Sequence, residues 1–345
     1  KQATRMSKMM MNFDIDGDFD PLVSLDALPA LREEYRKVFD ALIKSVSKSN
    51  MDERDTRIIV AYYVQQVVER VFTKLSDMVE LDNVILVGGL FMNVKLNNHI
   101  SKLADGLTSI MPLAGDQGCG LGVYEFYNND LIWPEHVFWG IRDYSHMPEN
   151  LPDRLMVVTD HEVNHKMIAD MLLDDKIVNL VVGNMEFGAR ALGHTSTLAL
   201  PYENNVEYIN TCNDRSTIMP MAGVMQDKDC NKYHYGCSDI YKSLEYMICT
   251  RDFKDMHHHW RGAGHGNPHD HTFTGRTQLV GPKSHMYKIL DFMRPAGKDI
   301  ILNTSFNPHG LPILFDMNDV ILGHNHMISN DPDNRIYTII LKESK

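Results

Sequence analysis

Four short runs in this sequence carry residue types that can do chemistry. Asn184-Met185-Glu186-Phe187-Gly188-Ala189-Arg190-Ala191-Leu192-Gly193-His194-Thr195-Ser196 sets one acid and one guanidinium among glycines. The planar donor fork of Arg190 can clamp a phosphate; the plainer alternative is an internal pair with Glu186 at helical spacing. Asn303-Thr304-Ser305-Phe306-Asn307 follows an apolar run with hydroxyls and amides. Such a set binds a ribose, an adenine edge or a phosphate without adding charge, or makes no more than a polar turn. Gly88-Gly89-Leu90-Phe91-Met92-Asn93 places a tight turn after an apolar strand, where missing Cβ atoms let a ligand approach the backbone. Paired glycines are also ordinary turn punctuation. In Ala114-Gly115-Asp116-Gln117-Gly118 the carboxylate of Asp116 stands among glycines, suited to a metal, a ligand hydroxyl or a simple helix cap.

The elements that must hold these runs follow from periodicity. Apolar residues Ile59, Tyr62, Tyr63, Val67, Val71, Leu75 and Met78 recur at three- and four-residue steps, which predicts a helix over 52–80 capped by Asn50 or Asp52. A buried strand over 83–87, the first glycine turn, a helix over 90–103, the second glycine turn and a helix ending near Asn128 make an α/β unit. Two glycine turns in one sheet suggest a nucleotide cleft. Pro, aromatic and charged residues over 133–153 mark an inter-domain linker. Beyond it come a helix over 162–174, a strand over 177–182, a loop-rich middle, a strand running into Asn303–Asn307 and a terminal strand over 335–341.

Composition narrows the classes. With 345 residues the chain is long enough for two domains, and 43% hydrophobic with 23% charged residues is ordinary globular usage. No apolar run reaches the length of a membrane span. A net charge of −12 repels phosphate backbones and gives no support to non-specific nucleic-acid binding. The five cysteines, Cys119, Cys212, Cys230, Cys237 and Cys249, lack zinc-knuckle spacing and read as free thiols in a reducing cytoplasm. The acidic run Asp14–Asp20 fails the EF-hand test, because position 25 is Leu where a bidentate Glu is needed, and reads as a solvated turn after a strand, with a short charged helix over 29–44 beyond it. The histidines His257, His258, His259, His265, His269 and His271 invite zinc, but consecutive histidines rarely converge, so this stretch reads as an exposed loop. The N-terminus lacks both an initiator Met and a signal peptide, and the chain reads as truncated.

Taken together, Gly88–Asn93, Pro112–Gly118, Met185–Gly193 and Asn303–Asn307 resemble, in order and approximate spacing, the motifs of the O-carbamoyltransferase family of antibiotic and nodulation-factor tailoring enzymes. The resemblance implies an α/β fold class: the second half of an ASKHA (Kae1-like) carbamoyl-transfer domain over 1–145, followed by a YrdC-like carbamoyl-activation domain over 151–345. It implies that ATP activates carbamoyl phosphate to carbamoyl adenylate, and that the carbamoyl group then passes to an acceptor hydroxyl beside a divalent metal, iron or magnesium. By motif, Asp116 becomes a metal ligand, and Gly88, Gly89, Asn93 and Gly118 shape the nucleotide site of the transfer domain. Arg190, Arg215, Arg276 (in Thr274-Gly275-Arg276-Thr277-Gln278), Asn303, Thr304, Ser305 and Asn307 line the activation site, with the three arginines as the catalytic cations. The acceptor stays open among a sugar, an antibiotic, a glycan and a hydroxymethylated nucleobase, the last being the one way nucleic acid enters. A homodimer, and an N-terminal half supplied by a missing segment or a separate subunit, are the implied partners.

Three departures stand against the family pattern. The H-x-x-x-H metal motif of the first ASKHA half is absent; Asn213 and Met219 replace bases of a basic stretch in which Arg215 survives; and Thr195 replaces an Arg. These keep two alternatives in view: a non-catalytic nucleotide-binding partner subunit, and an enzyme with another acyl donor.

Overall fold

Ile177–Val182 is buried at every position, as a strand covered on both faces must be. The computed structural model describes residues 40, 44, 53–128, 137–143, 147–159, 161–216, 219–237, 240–266 and 272–342. The acidic turn over 14–20 and most of the helix expected over 29–44 lie outside these residues, as do His269 and His271. In chain order the elements are α1 (Glu53–Met78), β1 (Val84–Leu86), α2 (Val94–Leu103), β2 (Thr108–Ile110), α3 (Cys119–Asn128), β3 (Leu155–Thr159), α4 (Glu162–Leu173), β4 (Ile177–Val182), β5 (Thr195–Ala199), α5 (Glu203–Cys212) and β6 (Ala222–Gln226). There follow α6 (Cys230–Tyr233), α7 (Tyr241–Leu244), β7 (Arg251–Asp252), β8 (His265–Gly266), β9 (Phe273–Gly275), β10 (Gln278–Val280), α8 (His285–Met293), β11 (Ile300–Ser305), α9 (Met317–Ser329) and β12 (Ile336–Lys342). The fold class is α/β, as expected. No described helix is long and apolar enough to cross a membrane.

The chain divides into two units. In the first, which holds the described residues 53–84 and 98–108, α1 buries Ile59 and Tyr63 one turn apart. There the Thr73 hydroxyl lies 2.8 Å from His99 Nε2.

The second unit is built on a mixed seven-stranded sheet in the order β10-β6-β11-β5-β4-β12-β3. Alternate residues of β4, Val178, Leu180 and Val182, share one core with Ile339 and Leu341 of β12, Leu198 of β5 and Ile301 of β11. Ile168 and Leu172 of α4 and Ile289 and Leu290 of α8 cover it. On the opposite face of β4, Asn179 is buried and paired: it donates to Thr338 Oγ1 at 3.1 Å and accepts from Thr197 Oγ1 at 2.7 Å. His324 of α9 extends this ladder through Thr338, so the polar residues specify register without leaving unmet groups. Ser284 caps α8, and Asp316 with Asp319 forms a capping box on α9.

Asp331, after α9, has no exposed side chain and takes Arg154 at 2.5 Å, the Tyr208 hydroxyl at 2.5 Å and the backbone N–H groups of Arg335 and Ile336 at 3.0 Å. Burial alone would raise its carboxyl, but these donors hold it below the usual carboxylate range. Arg154→Ala leaves that charge half-met and is expected to cost about 3–5 kcal/mol in a urea melt at neutral pH.

Two expectations change. Cys230 and Cys237 form a disulfide; Cys119, Cys212 and Cys249 are free. The short α6 and the turn at Gly236 (φ +57°) fold the chain back until the two Cα atoms lie 6.3 Å apart, which an odd count of cysteines cannot reveal. With one pair oxidised, the cysteines no longer point to a reducing compartment. Within the expected linker, residues 137–143 are packed: Gly140 exchanges backbone hydrogen bonds with Met185, and Arg142 donates to His194 O at 3.1 Å and Thr195 Oγ1 at 2.5 Å.

Candidate functional site at one rim of the sheet

Strand directions bring the sequence motifs together. Antiparallel pairing sets Ser305, the last residue of β11, opposite Ser196 near the start of β5, and Asn303 opposite Ala222 at the start of β6; β10 runs parallel to β6 and also starts here, at Gln278. Three strands therefore enter and one leaves at the same rim. Arg190 lies just before β5, Arg215 before β6 and Arg276 just before β10.

The loop between β4 and β5 is held from within. Glu186 is buried, and its Oε1 accepts the backbone N–H groups of Leu192 at 2.7 Å, His194 at 2.9 Å and Thr195 at 3.1 Å. The segment is not helical, so the pairing of Glu186 with Arg190 at helical spacing does not occur. Gly193 has φ of +111°, and a Cβ there would stand 2.7 Å from Met286 Cε, so neither the backbone nor the space admits a side chain. Asn303 donates to Ala191 O at 2.8 Å and to Gln278 Oε1 at 2.7 Å, while Gln278 donates to Leu192 O at 3.0 Å. Asn303 thus braces the arginine loop, leaving its buried Oδ1 without a partner among the described residues.

The three arginines differ in their surroundings. Arg215 is spent on the strand end, donating to Thr304 Oγ1 at 2.9 Å, Ser305 O at 3.0 Å and Asn307 O at 3.1 Å. Asn213 Nδ2 also donates to Asn307 O, at 3.1 Å. Arg190 and Arg276 have no hydrogen-bond or ion-pair partner among the described residues, and the Nε of each is buried and unmet. Burial, then the charge of Arg190, pushes Arg276 down to about 10, and burial lowers Arg190 as well. Burial, Arg276 and Lys95 together hold His265 down at about 4, so its imidazole is neutral at pH 7. His265 lines a cleft of 360 Å³ whose wall also carries Glu203, Glu207 and Arg261. Two guanidinia without a counter-charge among the described residues can receive an anion.

Behind Arg276, Thr277 Oγ1 lies 2.7 Å from His234 Nε2, and His234 Nδ1 faces the Asp252 carbonyl at 3.3 Å. Burial, with the charges of Arg251 and Lys254, pushes His234 down to about 4. The unfolded chain, with histidine near 6.5, takes up that proton first, so stability is full above about pH 6.5 and falls as the pH drops toward 4. His234→Gln is expected to flatten this slope, removing about 2–3 kcal/mol of the loss in melts recorded between pH 7 and 4.5.

The remaining expected site residues lie elsewhere in the chain. Asn93 caps α2, its Oδ1 accepting from Leu96 N at 3.1 Å. Gly88 has φ of +112°, and a Cβ on Gly88 or Gly89 would meet nothing within 4 Å, which leaves open space beside that turn. Gly118 is required by packing, because a Cβ would lie 2.1 Å from the Leu113 carbonyl oxygen. Asp116 opens an exposed turn, and among the described residues it belongs to no converging group of three or more His, Cys, Asp or Glu donors. These residues alone do not make a metal centre at Asp116. Sequence reading missed the bracing roles of Arg142 and Gln278 and the place of Lys95 beside His265; no local pattern signals any of them.

Fold and rim together define an α/β protein with an anion-receptive edge at the ends of its sheet strands. Residues 169–329 match the family model described as "Carbamoyltransferase C-terminus". The chain is 30% identical to the uncharacterised protein MJ1051 of Methanocaldococcus jannaschii over 84% of this chain and 57% of that protein. It is 25% identical to nodulation protein NolNO of Sinorhizobium fredii over 75% of this chain and 40% of the relative. With the 3'-hydroxymethylcephem-O-carbamoyltransferase of Amycolatopsis lactamdurans the identity is 23% over 90% of this chain and 58% of the relative. The chain thus spans about half the length of the curated relatives it matches.

Proposed function

We propose that the chain is part of an ATP-dependent O-carbamoyltransferase, with residues 151–345 as a YrdC-like activation domain and residues 1–145 belonging to the Kae1-like transfer domain. The observation that carries this reading is the pair Arg190 and Arg276, half-buried, uncompensated and set at the rim by a network of motif residues. In the proposed activation, carbamoyl phosphate, ATP and water give carbamoyl adenylate, pyrophosphate and phosphate. Arg190 and Arg276 offset the charge of the phosphates and orient them. The mixed anhydride makes the carbamoyl carbon a good electrophile. An acceptor hydroxyl oxygen then bonds to that carbon, AMP leaves, and the hydroxyl proton goes to solvent or a base on the acceptor side. A cephem hydroxymethyl group is the acceptor that the name of one relative suggests, and sugars, glycans and a hydroxymethylated nucleobase share its chemistry.

One second reading is a nucleotide-binding partner subunit that leaves transfer to another chain; it rests on Asn213, Met219 and Thr195 standing where the family pattern has bases. Titrating ATP and carbamoyl phosphate into the purified chain by calorimetry, with pyrophosphate release followed in parallel, separates the two. Binding of both with pyrophosphate release supports the activation domain. Nucleotide binding without release supports the partner subunit, and binding of neither overturns both readings.

A further inference from the structure

Consecutive side chains on a helical turn diverge, so three adjacent histidines ordinarily point three ways. Here they do not. His257 is extended (φ −97°, ψ 151°) and immediately precedes a 3-10 turn over His258–Ala263, whose regular course breaks at Trp260 (φ −136°). This geometry folds the three rings together: their centroids lie 4.1 Å apart for His257 and His258, 3.9 Å for His258 and His259, and 4.8 Å for His257 and His259. One ring nitrogen from each lies within 4.8 Å of the other two, and no other group of three or more His, Cys, Asp or Glu donors converges in this way among the described residues.

We propose that His257, His258 and His259 form a binding site for one divalent transition-metal ion of the zinc, nickel or copper class. Imidazole suits these ions, and three nitrogens with one position left to water match an open tetrahedral site. Metal–nitrogen bonds of about 2.1 Å need donors about 3.4 Å apart, which small ring rotations supply on an exposed turn. The side-chain hydrogen bond to give up is slight: His257 Nδ1 accepts from His259 N at 3.4 Å, a long bond. The same segment continues through Gly262 and Gly264 to His265, which line the cleft beside Arg276, so an ion here would pin one wall of that cleft. The site is independent of the carbamoyl-transfer reading.

The test uses the whole chain, purified without a polyhistidine tag and stripped with chelator, titrated with zinc chloride and nickel chloride by calorimetry. We expect one ion per chain at micromolar affinity, weakened about tenfold or more in the double variant His258→Ala/His259→Ala and unchanged in His309→Ala. Copper bound to the unmutated chain should show splitting from three nitrogens by electron paramagnetic resonance, a readout that does not depend on how the variants fold. Failure to bind either ion, or binding undiminished in the double variant, overturns the proposal.

Discussion

Arg276→Met is expected to abolish binding of ATP and carbamoyl phosphate while leaving the unliganded chain at least as stable as the parent. The two effects have one origin. Arg276 is half-buried, has no acceptor among the described residues and feels the charge of Arg190, so without an anion its charge opposes folding. Methionine keeps most of the apolar stem and removes the charge, which should raise the melting temperature by about 2–4 °C. A bound phosphate would instead take two charge-assisted hydrogen bonds from this guanidinium, worth about 1.5–3 kcal/mol each, so their loss should weaken binding by more than about a hundredfold. Calorimetric titration and a thermal melt of the same preparation check both halves. A drop in stability with unchanged nucleotide affinity would make Arg276 a structural residue and remove the main support for the activation site. Arg190→Met should behave alike, whereas Arg215→Met should lose stability, because its donors already serve Thr304, Ser305 and Asn307.

That contrast marks where sequence reading ends. The strands β4, β11 and β12 are legible because central strands carry dense apolar stretches, and α1 because its apolar period repeats over about five turns. β6 is not, since Ala222-Gly223-Val224 offers little bulk; Gly223 is small because a Cβ there would lie 2.8 Å from the Ala263 Cβ, a tertiary fact. β10 has three residues, below the length at which alternation can be read. At the site, residue types pointed to phosphate chemistry, but types do not say which arginine is spent and which is free. Asn303 reads equally as a ligand amide and as the brace of Ala191 and Gln278. Glu186 reads as a partner for Arg190 until the chain is seen to wrap three of its own N–H groups around one carboxylate oxygen.

Glu186→Ala is accordingly expected to be the most damaging single substitution at the rim, although Glu186 need touch no substrate. It leaves the N–H groups of Leu192, His194 and Thr195 without their acceptor, the first and last of them in buried residues. Each unmet buried donor costs about 1–3 kcal/mol, so the loss should reach about 3–6 kcal/mol, a large share of the 5–15 kcal/mol that holds a typical domain folded. Water can recover part of this only if the loop opens, and opening carries Arg190 away from Arg276. Nucleotide binding should therefore fail together with stability, and new proteolytic cuts should appear between residues 186 and 195. Glu186→Gln keeps a carbonyl oxygen for the same three donors, and its amide takes the place of Oε2, which has no partner among the described residues. It should restore most of the melting temperature and the nucleotide affinity. If Glu186→Gln instead folds well but cannot bind nucleotide, the carboxylate acts on the ligand directly, and its bond to the loop is secondary.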